Sequence, residues 1–321
     1  MTTLVDLSQD IKALTPGLVA LRRELHQHPE LAFEEVWTAA TLARRMRALG
    51  LAVQEGIGGT GVLAVLAGAR PGKTLLIRAD MDALPMAETT GRAYASTLQN
   101  RNHSCGHDAH AAIVAGVAEV LVRHRDRIAG RIAFVFQPAD EPMRGAQRMI
   151  EDGLLESVRP DMSLSVHVLP MANAGQAVIQ RGPLWASWDT RMLKISVPAP
   201  TLDAPTTGDI TRVAAQVVTA LYDLVEHEGR SAESVTFRVR SLTAEQGGHG
   251  TPSQAAVEVH MGRGVPGQAT LEVNLALYDN TLRTRLLSRI ADVAEAIVSA
   301  TGGTLSMEVD YALPALGVSP K

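Results

Sequence analysis

The chain has 321 residues, 46% of them hydrophobic, and a formal net charge of -4. It is longer than the roughly 250–300 residues at which single cores stop growing, so two domains are expected. The mild acidity provides no basic stripe for a phosphate backbone or an anionic bilayer, which argues against nucleic acid and membrane as partners.

Met1–Asp10 lacks the basic start and apolar core of a secretory leader, and no segment approaches the roughly 20 apolar residues of a membrane span. The expected location is therefore cytoplasmic. Cys105 is the single cysteine, so it cannot close an intramolecular disulfide. It is either a buried thiol or one with a chemical task.

In chain order, Leu18–Gly50 reads as helical, with charges interleaved among apolar positions and Gly50 standing where a helix would be capped. Short apolar runs follow at Gly61–Leu66 and Thr74–Ile77. Next come a helical stretch at Ala111–Arg123 and further runs at Ile132–Phe136 and Ser163–Val168. Strands alternating with helices predict an α/β domain: a mostly parallel sheet with helices on both faces.

The pattern changes near Gly182–Asp189. A strand (Arg191–Val197) and a helix (Asp209–Glu226) lead into three strands (Ser234–Ala244, Ala255–His260 and Thr270–Tyr278). A helix (Leu282–Ala300) and a last strand (Thr304–Tyr311) complete the series. This order predicts a smaller α+β domain with an antiparallel sheet and two helices on one face.

Functional groups in a parallel sheet gather where strands end. Arg78-Ala79-Asp80-Met81-Asp82 ends one run, and His103–His110 opens the following helix. Gln137-Pro138-Ala139-Asp140-Glu141 and His167 end two others. Taken singly, each cluster has a structural explanation. The aspartates can form turns, Asp140-Glu141 can sit at a helix start, and the histidines can cap or pack.

Together they bring a thiolate, imidazoles and carboxylates to one edge, the ligand mixture preferred by zinc and its first-row neighbours. Of two adjacent carboxylates, one can bind a cation while the other handles a proton, which suits amide hydrolysis. There is no Gly-x-Ser-x-Gly elbow to suggest a serine nucleophile.

Arg78-Ala79-Asp80-Met81-Asp82-Ala83-Leu84-Pro85, His103-Ser104-Cys105-Gly106-His107-Asp108-Ala109-His110 and Phe136-Gln137-Pro138-Ala139-Asp140-Glu141 resemble successive motifs of the amidohydrolase branch of the aminoacylase/hippurate-hydrolase metallopeptidases. Leu21-Arg22-Arg23-Glu24-Leu25-His26-Gln27-His28-Pro29-Glu30-Leu31 is similar to that family's N-terminal signature. The resemblance implies that Cys105, His107, Glu141 and His167 ligate a pair of divalent metal ions (zinc, manganese, cobalt or nickel), with Asp140 at the general-base position.

It further implies a catalytic domain over residues 1–183, a lid and dimerisation domain over 184–311 through which a homodimer forms, and a return segment over 312–321. The implied substrates are N-acyl or N-aminoacyl amino acids, cleaved at the amide.

The chain departs from the family pattern in three places. The family has Glu where Asp140 stands, one methylene longer, and displacing a catalytic group by about 1 Å can cost on the order of 100-fold in rate. The first lid loop carries Thr206 where the family has an oxyanion-stabilising histidine, and Thr251-Pro252-Ser253 where it has an asparagine. His249 is a possible substitute. The family's last histidine ligand has no counterpart, because the final histidine here is His260. These departures leave a second expectation open: a degenerate member that binds a partner or performs other acyl chemistry.

Overall fold

The computed structural model describes residues 6–170, 172–179, 182–199, 209–231, 234–246 and 266–318. Contacts divide the chain into two compact units, Met1–Ala174 and Gly175–Lys321.

The first unit opens with helices α1 (Ser8–Gln27) and α2 (Val36–Ala48), followed by strands β1 (Ala52–Ile57), β2 (Gly61–Ala67) and β3 (Arg70–Asp80). Helix α3 (His107–Arg123) leads to β4 (Ala129–Gln137), the short helices α4 (Gly145–Glu151) and α5 (Leu154–Val158), and β5 (Met162–Ser165).

The five-stranded sheet has the order β1-β2-β4-β3-β5. The β3–β4 and β3–β5 pairs are parallel, and only β2 runs against the other strands. The mostly parallel α/β sheet expected from the alternation is thus present.

Alternation along β4 explains why both faces are covered. Phe134 and Phe136 pack with Leu25, Leu42, Met46 and Ala115 on one face, whereas Ala133 and Val135 meet Met149, Leu154 and Val158 on the other. Full burial of side chains such as Phe134, Phe136 and Leu42 contributes about 1.5–3 kcal/mol each.

The expected continuous helix over 18–50 is two helices. Pro29 disfavours helical backbone at His28, Leu31 forms a bridge with Ala83, and Phe33 has a positive φ of 64°. Gly50, at φ 77°, follows the end of α2 in the left-handed geometry that glycine adopts without a Cβ penalty.

The second unit contains β6 (Gly182–Trp185), β7 (Trp188–Val197), α6 (Ile210–Glu228), β8 (Val235–Gln246), β9 (Gly267–Leu277), α7 (Asn280–Ser299), β10 (Thr304–Leu313) and β11 (Leu316–Val318). Its four-stranded sheet, ordered β10-β7-β9-β8, is antiparallel throughout. Leu193, Ile195 and Val197 alternate along β7 toward Val213, Val217 and Leu221 of α6 and Leu286, Ile290 and Ala294 of α7.

Asp209 and Asp279 cap these helices by accepting from the Arg212 and Leu282 amides at 3.0 Å. The expected strand 255–260 lies outside the described residues. Among the described residues, no helix is long and apolar enough to cross a membrane.

Candidate metal centre

Neighbours β4, β3 and β5 run parallel, so their carboxyl ends share one edge: Asp80 lies beside Gln137, and Arg78 beside Ser165. Helix α3 begins at the same edge. Gly106, at φ 88°, turns the chain so that Cys105 and His107 flank a left-handed residue. A Cβ at Gly106 would come within 2.5 Å of the Val168 side chain, so this turn requires glycine.

The five residues singled out from the sequence meet here. Ligand atoms of Cys105, His107 and His167 all lie within 4.8 Å of one another, with Cys105 Sγ 3.9 Å from His167 Nε2. Nδ1 of His107 is 2.8 Å from the Asp82 carbonyl oxygen and 3.1 Å from Asp82 Oδ1. A proton on Nδ1 leaves Nε2 as the lone-pair nitrogen.

That Nε2 faces Glu141 Oε1 at 3.7 Å and Asp140 Oδ2 at 3.7 Å. His107 Nε2 and Glu141 Oε1 are both buried without a hydrogen-bond partner. A buried imidazole nitrogen and a buried carboxylate oxygen facing one another, beside a thiol and a further imidazole, form a donor set that a divalent cation would satisfy by displacing the imidazole proton.

The electrostatics point the same way. The adjacent imidazoles of His107 and His167 hold the Cys105 thiol below its ordinary value, toward the thiolate that binds cations. Burial pushes the Glu141 carboxyl up. Burial also works against a charge on His107, but the hydrogen bond to Asp82, the neighbouring Cys105 sulfur and the charge of Asp80 outweigh it and push the imidazole up to about 11. The pocket thus strongly favours positive charge at this point.

A second trio, Asp80, His107 and His110, also lies within ligating distance. In His110, however, Nδ1 meets Asp80 Oδ1 at 2.6 Å and Nε2 accepts from the Val168 amide at 2.8 Å. With both nitrogens engaged, His110 anchors the backbone immediately after His167. Burial opposes the charge on Asp80, but the His110 hydrogen bond and the Arg78 and His107 charges hold its carboxyl at about 2.

Arg78 ion-pairs with both Asp80 and Asp140, and its Nε donates to Gln137 Oε1 at 2.9 Å. The sequence reading assigned no role to Arg78 or Gln137. The signal for Arg78 was available: it lies two positions before Asp80 on one strand and therefore on the same face.

Behind α3, Asp108 is paired with His26 Nδ1 at 2.7 Å and Arg22 Nε at 2.8 Å. This pairing engages Arg22 and His26 of the N-terminal signature. Thr206, His249 and 251–253 lie outside the described residues.

The fold and site together define a class: an α/β protein that gathers a thiol, imidazoles and carboxylates at the carboxyl edge of its parallel strands, in a cluster of cation-binding size. The sequence profile of Peptidase family M20/M25/M40 matches residues 76–307. An N-acyl-L-amino acid amidohydrolase of Geobacillus stearothermophilus is 30% identical over 317 residues, covering 96% of this chain and 80% of that protein. Thermostable carboxypeptidase 2 of Saccharolobus solfataricus is 34% identical over 252 residues, covering 77% of this chain and 63% of the relative.

Among solved structures, the Bacillus subtilis YXEP protein, a dinuclear metal binding peptidase, superposes with a TM-score of 0.78 at 27% identity, covering 96% of this chain and 77% of that one. The chain belongs to the M20/M25/M40 peptidase family. It spans about three-fifths of the length of the first curated relatives it matches.

Proposed function

We propose that the protein is a metal-dependent amidohydrolase that cleaves the amide of N-acyl or N-aminoacyl amino acids, with Cys105, His107, Glu141 and His167 holding the metal and Asp140 as the base. One observation carries the reading: the buried, unpartnered His107 Nε2 and Glu141 Oε1 face each other across 3.7 Å beside Cys105 and His167. The relatives named N-acyl-L-amino acid amidohydrolase and hippurate hydrolase, and the dinuclear YXEP peptidase, support the substrate class and a complement of two cations.

Divalent cations, when bound, would supply an acidified water and a Lewis-acid grip on the amide carbonyl. Asp140 Oδ2, beside His107, accepts the proton released as water attacks and returns it to the departing nitrogen. Arg78 and Gln137 hold the opposite oxygen of Asp140, directing the free one into the site. Asp82 holds His107 in the tautomer that leaves Nε2 open.

We place the protein in the cytoplasm. Residues 184–311 form the lid, through which two subunits pair. A second reading, a catalytically impaired member serving as a binding or partner protein, draws support from the shorter base at Asp140 and its ion pair with Arg78.

Metal-loaded protein assayed against N-acetyl, N-benzoyl and dipeptide substrates separates the two. The proposal expects turnover that a chelator removes and zinc or manganese restores. Full activity in metal-free protein would refute it, and stoichiometric metal with no turnover on any substrate would favour the second reading.

A further inference from the structure

Glu35 is a carboxylate with no solvent exposure and no part in the chemistry above. It stands at the start of α2, and burial pushes its carboxyl up. Such a group is costly to bury unless its oxygens are engaged. Oε1 accepts from the Ala139 amide at 2.8 Å, and Oε2 accepts from the Thr60 hydroxyl in the β1–β2 turn.

Ala139 is the residue immediately before Asp140 and Glu141. It is fully buried and has φ 48°, in the left-handed region that a non-glycine residue holds only when its surroundings impose it. Its carbonyl oxygen accepts from the Gly145 amide at 3.0 Å. On the other side of Asp140, the Glu141 amide donates to Asp82 Oδ2 at 2.9 Å. Two buried carboxylates from distant parts of the chain thus hold the backbone amides on either side of Asp140.

We propose that Glu35 is a positioning residue, fixing Ala139 in its left-handed conformation so that the turn after β4 aims Asp140 and Glu141 into the metal centre. The inference rests on the proposed function for its catalytic meaning, but the geometry it asserts is independent of any bound ion. Glutamine would serve in the same place: its carbonyl can accept from Ala139 while its amide donates to Thr60. Alanine would leave the Ala139 amide without a partner. Glycine at 139 would accept a positive φ without help.

The test uses the full chain as wild type, Glu35→Gln, Glu35→Ala and the double variant Glu35→Ala/Ala139→Gly. Backbone exchange of peptides spanning 138–145 is measured in metal-free protein, and zinc affinity is measured by calorimetric titration. Glu35→Ala should speed exchange of that segment by at least about tenfold while α3 peptides keep wild-type rates, and weaken zinc binding by about 10–100-fold.

Glu35→Gln should stay within about threefold of wild type on both readouts, and the double variant should recover at least half of the logarithmic loss. Unchanged exchange in Glu35→Ala, a Gln variant as impaired as the Ala variant, or no recovery in the double variant would each overturn the proposal. If Glu35→Ala does not fold, Glu35→Asp, which draws the carboxylate back by one methylene, should show the same local exchange, and wild-type rates there would overturn the proposal. Absence of affinity for zinc, manganese, cobalt and nickel in wild type would refute the proposed function, while the exchange comparison still decides the role of Glu35.

Discussion

His103 gives the folded protein a sensitivity to acid whose sign follows from its burial. It precedes Cys105, is 4% exposed, and neither ring nitrogen has a hydrogen-bond partner. Burial, with smaller repulsion from His107 and His26, lowers its pKa from 6.5 to about 4 against the pull of Asp108 and Asp82. Between those values the unfolded chain binds a proton at this position and the folded chain does not. Stability therefore rises with pH across this window and is lost as pH falls through it.

With pKa values of 6.5 unfolded and about 4 folded, the loss between pH 7 and pH 4.5 is about 2 kcal/mol from this one ring. Nearby His26 is shifted the other way, raised by its hydrogen bond to Asp108. Its contribution is complete below the unfolded pKa and fades as pH rises through the folded value. This contribution is common to wild type and variant in the comparison below.

Urea denaturation in chelator, at pH 7 and pH 4.5, should show that wild type loses about 2 kcal/mol more than His103→Leu on acidification. Parallel losses in the two proteins would refute the assignment of His103 as a buried neutral imidazole.

Three further outcomes follow from named contacts. Asp189, fully buried, receives Arg283 through two hydrogen bonds of 2.6 and 2.7 Å and Arg191 at 3.2 Å. Asp189→Ala strands both guanidinium groups and should cost about 3–5 kcal/mol in urea unfolding, whereas a loss under about 1 kcal/mol would show the ion pairs to be dispensable. Asp82→Ala removes the carboxylate that engages both His107 Nδ1 and the Glu141 amide, leaving only the backbone carbonyl of position 82 on Nδ1. It should weaken zinc binding by about 10–100-fold at unchanged helix content, and calorimetry showing wild-type affinity would contradict that link. Gly145→Ala would drive a Cβ into the Pro138 carbonyl oxygen, so circular dichroism and thermal scans should report a markedly destabilised protein. Wild-type stability would mean that the turn after β4 relaxes freely.

The strand-end clusters were legible because short continuous apolar runs end abruptly in polar residues, and parallel neighbours must share one carboxyl edge. That rule alone brings Asp80, Asp140 and His167 together. The break at His28–Glu35 was less legible: the helical spacing of apolar residues persists across it, and only Pro29 signals the interruption. Strand β1 escaped notice because Ala-Val-Gln-Glu-Gly-Ile has a largely exposed burial pattern and a polar centre.

Within the site, the family resemblance nominated candidate donors but not the further partners each side chain has. That His110 spends both nitrogens on Asp80 and Val168 follows from tertiary geometry alone. The same holds for Glu35, which reaches Ala139 from 104 positions away.

The central claim is that Cys105, His107, Glu141 and His167 form one cation site. It is tested most directly by titrating the metal-free protein with cobalt(II) and recording its absorption beside the Cys105→Ala variant. The account predicts about two cations bound per chain in wild type, with an intense thiolate-to-metal charge-transfer band that the variant lacks. Binding without that band, or an identical spectrum from Cys105→Ala, would contradict it.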